Sequence, residues 1–185
     1  MSSKEAETML REIEDMTGKK FLPIVGPERG KILAELVREA KPKRILEVGT
    51  LIGYSAIMMA KELAADARLT TIEIHANEAR IARQNIKKAH VRPTIEVLVG
   101  DAIKVLLKLS GKFDLVFIDA EKTEYREYLR LIEDKLHKGS IIVADNAGIF
   151  AEQMKDYLDY VRHSSKYSSK YIPVGEDGVE VSVKL

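Results

Sequence analysis

The chain has 185 residues, enough for one domain with a full-sized core. Thirty Lys and Arg against 29 Asp and Glu leave a net charge of +1, so the global balance calls for neither nucleic acid nor a membrane as partner. Cysteine is absent, which excludes disulfides, thiolate metal sites and thiol nucleophiles.

The opening residues Met1-Ser2-Ser3-Lys4-Glu5 are polar and lack an apolar signal core. No apolar run approaches membrane-spanning length, and the expectation is a soluble, cytoplasmic protein. Residues 3–17 place Met9, Leu10, Ile13 and Met16 on one helical face. This reads as a helix packed on the domain, with a lid over a ligand as the alternative, and residues 1–41 as the N-terminal helical part. Phe21 to Pro27 reads as an extended loop, and Pro27 suits the first turn of a helix whose apolar face is Ile32, Leu33, Leu36, Val37 and Ala40.

Ile45-Leu46-Glu47-Val48 then reads as a buried strand, followed by a turn with Gly49 and Gly53 and a helix over 54–65. Leu69 to Ile74 is a second strand, residues 77–89 a helix, and Thr94 to Val99 a third strand followed by a helix through Leu109. Phe113 to Asp119 and Ser140 to Asp145 are apolar on both faces, as central parallel strands are, with a helix from Tyr125 to Leu136 between them. A helix over 149–162 follows. Lys170 to Val174 and Val179 to Leu185 flank Gly175-Glu176-Asp177-Gly178 and predict an antiparallel hairpin. The closing strand alternates Val179, Val181, Val183 and Leu185 with polar residues, giving one apolar face for the core. Together these predict one α/β domain over residues 1–185, a parallel sheet with one reversed strand near its edge.

The glycine turn after the first strand offers bare backbone N–H groups to a ligand. Its spacing is not that of a dinucleotide-binding G-x-G-x-x-G, and Glu47 would repel a pyrophosphate. A ligand carrying an amino group and a positive charge suits it better, and S-adenosylmethionine (SAM) is one. Glu73 ends the second strand, 26 residues beyond Glu47, where an acid accepts hydrogen bonds from ribose hydroxyls. The plainer alternative for Glu73 is a solvated strand end, and His75 beside it reads as a surface residue.

Ligands of an open parallel sheet bind beyond the carboxyl ends of its strands. Glu47, Glu73 and Asp101 at three such ends would line a nucleoside pocket. Asp119 and Asp145-Asn146 end the next two strands, and neighbouring strands are only ~5 Å apart. Two carboxylates and an amide oxygen are hard ligands for Mg²⁺ or a similar divalent cation; the alternative is that each acid caps the following helix. Lys122 stands three residues after Asp119, an offset that turns its ammonium back over the strand end. A neighbouring cation lowers a lysine pKa, so Lys122 could accept a proton from an acceptor hydroxyl.

The stretches Ile45 to Ser55, Phe113 to Lys122 and Val143 to Asn146 resemble the three signature regions of the cation-dependent O-methyltransferases, the family of the catechol and caffeoyl-CoA enzymes. The resemblance runs from about Ile24 to the C-terminus. It implies the Rossmann-like class I SAM-dependent methyltransferase fold, a mostly parallel seven-stranded sheet closed by a C-terminal antiparallel hairpin. It implies that Val25, Glu47, Gly49, Gly53 and Ser55 hold the methionine part of SAM, and that Glu73 takes the ribose. Asp101 and Ala102 would border the adenine, Asp119, Asp145 and Asn146 would bind the cation, with Asp119 also beside SAM, and Lys122 would be the general base. Relatives follow Asp-Asn with an apolar, Trp-containing stretch and a long insertion. Here Ala147 to Phe150 runs almost directly into the next helix and the chain has no Trp, so much of the usual acceptor wall is missing.

The resulting expectation is a SAM-dependent, metal-assisted O-methyltransferase for a small hydroxylated acceptor, catechol-like by resemblance. Two alternatives stand beside it. A tRNA enzyme acting on a hydroxylated base would use the open site with Lys166, Tyr167, Lys170 and Tyr171, against the near-neutral charge. A non-catalytic SAM-binding protein would have no use for Lys122. Relatives outside animals are commonly homodimers, and Tyr125, Tyr128 and Tyr160 read as aromatic surface for a two-fold interface, or equally as covers for the core edge.

Overall fold

The computed structural model describes residues 4–19 and 21–185, so the expected helix start at Ser3 lies outside the described residues. The chain folds as α1 (Lys4–Thr17), α2 (Gly26–Ala40), β1 (Arg44–Val48), α3 (Tyr54–Ala60), β2 (Arg68–Glu73), α4 (Ala76–Ala89), β3 (Thr94–Val99), α5 (Ala102–Leu106), β4 (Phe113–Ile118), α6 (Tyr125–Ile132), β5 (Leu136–Asp145), α7 (Lys155–His163), β6 (Tyr167–Val174) and β7 (Asp177–Lys184). The strands form one seven-stranded sheet in the order β3-β2-β1-β4-β5-β7-β6. The first five pair in parallel, β7 runs against β5, and β6 pairs with β7 at the edge. The single reversed strand is where the hairpin pattern puts it.

Alternation along the strands divides the core in two. Ile45, Leu115, Phe117 and Val143 face the layer that contains α1 to α3. Leu46, Val116, Ile118 and Ile142 face the opposite layer, built from α6 and α7. Helix α1 buries Ala6, Met9, Leu10 and Ile13 and packs on α3 and α4. Met16, expected on that inner face, is exposed.

Several boundaries move, each for a local reason. Helix α3 stops at Ala60 because Glu62 and Leu63 donate to Met59 and Ala60, three residues back, which tightens the helix into turns. Helix α5 ends early in the same way, with the Lys108 amide on Val105 and the Leu109 amide on Leu106. Helix α6 passes into a 3₁₀ turn at Glu133–Lys135, and β5 begins at Leu136, with a register irregularity before Leu115. Residues 147–154 form successive turns, so α7 starts at Lys155 rather than 149.

Two readings of the C-terminal half are corrected. Tyr125 and Tyr128 are core residues of the monomer, 0% and 2% exposed, and Tyr160 donates to Glu133 under the Arg126 guanidinium. These rings therefore give no support to an interface. Tyr167 is also buried and Lys166 pairs with Glu133, so these two side chains add no support to a nucleic-acid surface, whereas Lys170 is exposed. The apolar alternation of β7 hides the second surprise: Glu180 and Ser182 are fully buried, because α7 covers that face as well. Glu180 accepts from Arg162 Nε (3.0 Å) and Nη2 (2.6 Å) and from the Ser169 hydroxyl (2.7 Å).

Among the described residues no helix is long and apolar enough to cross a membrane. Removing the Arg162 partner leaves a buried carboxylate short of donors. Arg162→Met is therefore expected to lower stability by about 2–3 kcal/mol, read as a lower urea midpoint at unchanged slope; an unchanged midpoint contradicts the pairing.

Candidate functional site

The carboxyl ends of β1 to β5 open on one cleft of about 1210 Å³, reached also by the loop before α2 and by the β6–β7 turn. Of the residues singled out by the sequence, Val25, Gly49, Ser55, Glu73, Asp101, Ala102, Asp119, Lys122, Asp145 and Asn146 line it. Glu47 and Gly53 do not. Gly53 turns the chain into α3 at φ +88°, with Ala82 of α4 only 3.4 Å from where its Cβ would stand; its position is set by backbone and helix packing. No residue of α1 lines the cleft.

Gly49 holds the site together. At φ +99°, its missing Cβ would lie 1.9 Å from the Asp119 carbonyl oxygen, a place no side chain can occupy. The turn that follows is pinned by Glu73, which accepts from the Leu51 amide (2.7 Å) and the His75 amide (2.9 Å). His75 itself is exposed. Asp101 caps α5 by accepting from the Lys104 amide, whereas neither Asp119 nor Asp145 is the cap residue of the helix that follows it. Val25 is buried at the start of α2, and its carbonyl accepts from Arg29 Nε.

Glu47 is fully buried beneath this turn. The Thr71 hydroxyl donates to its Oε2 (2.5 Å), and its Oε1 has no hydrogen-bond partner. Burial pushes the carboxyl up to about 7, with the Ser55 and Thr71 hydroxyls opposing and the charges of Asp119 and Glu73 adding to the rise.

Lys122 Nζ donates to Asp119 Oδ1 (2.9 Å) and to the Tyr125 hydroxyl (2.9 Å), which lies 3.3 Å from the Asp145 carbonyl oxygen. The side chain is 14% exposed and faces the Phe150 ring at 5.9 Å. Asp145 is 1% exposed, and neither of its oxygens accepts a hydrogen bond. Arg29 Nε stands 3.1 Å from Asp145 Oδ1, but its proton is directed to the Val25 carbonyl, so this contact is one of charge alone. Burial first, and then the charge of Asp119, drive the Asp145 carboxyl well up from its usual range against the pull of Arg29 and Lys122. Asn146 sits at φ +62°, a left-handed conformation that Asn tolerates, and its Nδ2 donates to Asp177 Oδ2 (2.7 Å).

Among the described residues no three Asp, Glu or His side chains gather to hold an ion. The donor set here is two carboxylates and an amide, and the bare, buried oxygens of Asp145 fit a hard divalent cation. Sequence reasoning missed Arg29, Tyr125 and Asp177. The sequence places Asp177 in the hairpin turn, whereas it opens β7 opposite Val174 and is buried.

The chain matches the O-methyltransferase family over residues 1–165. It belongs to that family. Catechol O-methyltransferase B of Danio rerio is 38% identical over 174 residues, covering 87% of this chain and 65% of that protein. Catechol O-methyltransferase of Niastella koreensis is 40% identical over 126 residues, 66% of this chain and 57% of that protein. The chain thus spans well under two thirds of the second relative and just under two thirds of the first. Among solved structures, an O-methyltransferase from Bacillus cereus in complex with SAH superposes with a TM-score of 0.86 at 28% identity, covering 96% of this chain and 91% of that one. The SAM complex of an O-methyltransferase from Streptomyces achromogenes gives 0.84 at 27%, covering 100% and 91%. The fold is the class I SAM-dependent methyltransferase fold.

The buried Glu47 makes a pH prediction. It titrates near 4.5 when unfolded and near 7 in the fold, so the folded state holds the proton more tightly. Its contribution to stability is complete below the unfolded value and is lost as the pH rises through the folded one. Glu47→Gln removes that loss. Without ligand, the variant is expected to be more stable than the unaltered protein by on the order of 1–3 kcal/mol at pH about 8, and not at pH about 4. Urea denaturation at both pH values checks this, and an equal difference at the two would contradict it.

Proposed function

We propose that the protein is a SAM-dependent, divalent-cation-assisted O-methyltransferase acting on a hydroxyl of a small, catechol-like acceptor. The observation that carries this reading is the meeting of Asp119, Lys122, Asp145 and Asn146 in the same cleft as the Gly49–Ser55 turn. The names of the relatives and the SAM and SAH complexes of the structural neighbours support it.

In this reading Val25, Gly49 and Ser55 hold the methionine part of SAM, and the buried Glu47 carboxylate favours its ammonium. Glu73 takes the ribose hydroxyls with the lone pairs its two amide contacts leave over, and Asp101 with Ala102 borders the adenine. Asp119, Asp145 and Asn146 hold Mg²⁺ or a similar cation, which when bound supplies Lewis-acid polarisation of the acceptor hydroxyl. Lys122 takes the hydroxyl proton at Nζ, and Tyr125 fixes where that nitrogen points. The remaining work is positioning the acceptor oxygen in line with the donor methyl.

Phe21, Ile149, Phe150 and Val174 offer apolar surface for an aromatic ring, in place of the absent Trp. Glu121, Glu124 and Glu176 line the same cleft, which disfavours a polyanionic acceptor such as a CoA thioester and favours a neutral or cationic one. A non-catalytic SAM-binding role leaves the Lys122–Asp119–Tyr125 arrangement without a purpose. The resemblance further implies a homodimer, for which light scattering is expected to return twice the 20.8 kDa chain mass.

The test is methyl transfer from labelled SAM to a panel of small dihydroxy aromatics with Mg²⁺. Transfer is expected, lost on chelation, and lowered in kcat by about 10²–10⁴-fold in Lys122→Met. SAM affinity of that variant, read by calorimetry, should be retained. Transfer that survives both chelation and the Asp119→Ala substitution would overturn the metal role. A Lys122→Met enzyme with full kcat would overturn the base.

A further inference from the structure

Asp145 and Asp177 lie on either side of the Arg29 guanidinium, and their hydrogen bonding is opposite. Asp177 Oδ1 accepts from the amides of Gly148 (3.1 Å) and Ile149 (3.0 Å). Its Oδ2 accepts from Asn146 Nδ2 (2.7 Å) and from Arg29 Nη1. Four donors occupy the acceptor sites of that carboxylate. Asp145 is as deeply buried and accepts none. A buried carboxylate saturated with protein donors is a support, whereas a bare one is available to a cation.

We propose that Asp177 is the positioning residue of the cation site: it commits the Asn146 amide nitrogen to the hairpin and so leaves the amide oxygen to the ion. The inference rests on the metal reading given above. Without such a partner, nothing distinguishes the two ends of the Asn146 amide, and half of its orientations would turn an –NH₂ towards a cation. Asp177 also holds the backbone that carries Asn146. That residue is in the left-handed region, and the two amides that follow in the turn are tied to the same carboxylate. The approach is close enough to require glycine at 148, where a Cβ would stand 2.5 Å from the Tyr171 hydroxyl and 3.0 Å from Asp177 Oδ1. Through Arg29, whose Nε donates to the Val25 carbonyl at 3.2 Å, Asp177 is joined to the cofactor side of the cleft. Arg29 also neutralises Asp177, so that its negative charge, which would otherwise compete for the ion, is spent within the protein.

Mn²⁺ is the probe, titrated into the full chain without SAM or acceptor and followed by the electron paramagnetic resonance of the free ion. Asp177→Asn keeps the shape but removes the charge that binds Arg29 and orients Asn146. Its Mn²⁺ affinity is expected to fall by about 10–100-fold, while SAM affinity by calorimetry stays near that of the unaltered protein. Placed in an Asn146→Ala background, the same substitution is expected to add little, because both act through one ligand. Should Asp177→Asn not fold, Asp177→Glu keeps the charge but displaces the carboxylate by a methylene, and it should show the same loss with native circular dichroism. Unchanged Mn²⁺ affinity in a folded variant, or fully additive losses in the double variant, would overturn the assignment. If the unaltered protein binds no Mn²⁺, the metal reading itself falls and takes this inference with it; if it binds and the variants bind equally, only the role of Asp177 falls.

Discussion

The site depends on one close approach, that of the Gly49 backbone to the Asp119 carbonyl. The strand ends are laced together there. The Asp119 amide donates to the Val48 carbonyl (2.8 Å) and the Gly49 amide to the Ile72 carbonyl (3.0 Å). Strands β1 and β4 are neighbours in the sheet although a long stretch of chain separates them, and between them the strand order reverses. A cleft forms at such a reversal because the connections on either side leave in opposite directions. Any side chain at position 49 would push β4 away. The turn proposed to hold SAM and the acids proposed to hold a cation would then no longer share a wall.

Within that cleft the acids divide by how the protein satisfies them. Glu73 and Asp177 accept from backbone amides and brace loops. One buried oxygen of Glu47 and both of Asp145 have nothing donating to them. Leaving such atoms bare is costly in a folded protein, and at Asp145, which lines the cleft, a ligand can supply the missing partner. The unsatisfied pair sits on the two sides proposed for SAM and for the cation, and the two cationic side chains near them, Arg29 and Lys122, are each already engaged with a carboxylate.

Much of this was legible in the sequence because it is local. A strand carrying Glu47 near its end, a glycine turn and a helix start lie within ten residues or so, and the Asp119–Lys122 offset closes within one turn. The parallel pairing of the central strands, though not their order, followed from strands apolar on both faces. What sequence could not carry was pairing at a distance. Arg29 and Asp177 meet across 148 positions, and nothing near either residue announces the other. Glu180 looked like the solvent side of β7 because a period of two says which residues share a face, not whether a helix covers it. The same limit misread Tyr125 and Tyr128, whose helix is enclosed by α5 and α7. The late start of α7 is a tertiary effect too: Asp177 holds the turn after Asn146, and regular helix begins only beyond it.

The central claim is that a divalent cation and the SAM methyl share this one cleft, and it can be tested without knowing the acceptor. Mn²⁺ added to the protein with SAM should strongly broaden the methyl proton resonance of the exchanging SAM, and excess Mg²⁺ should reverse it. An unbroadened methyl at Mn²⁺ concentrations that saturate the protein would place the ion elsewhere and contradict the account.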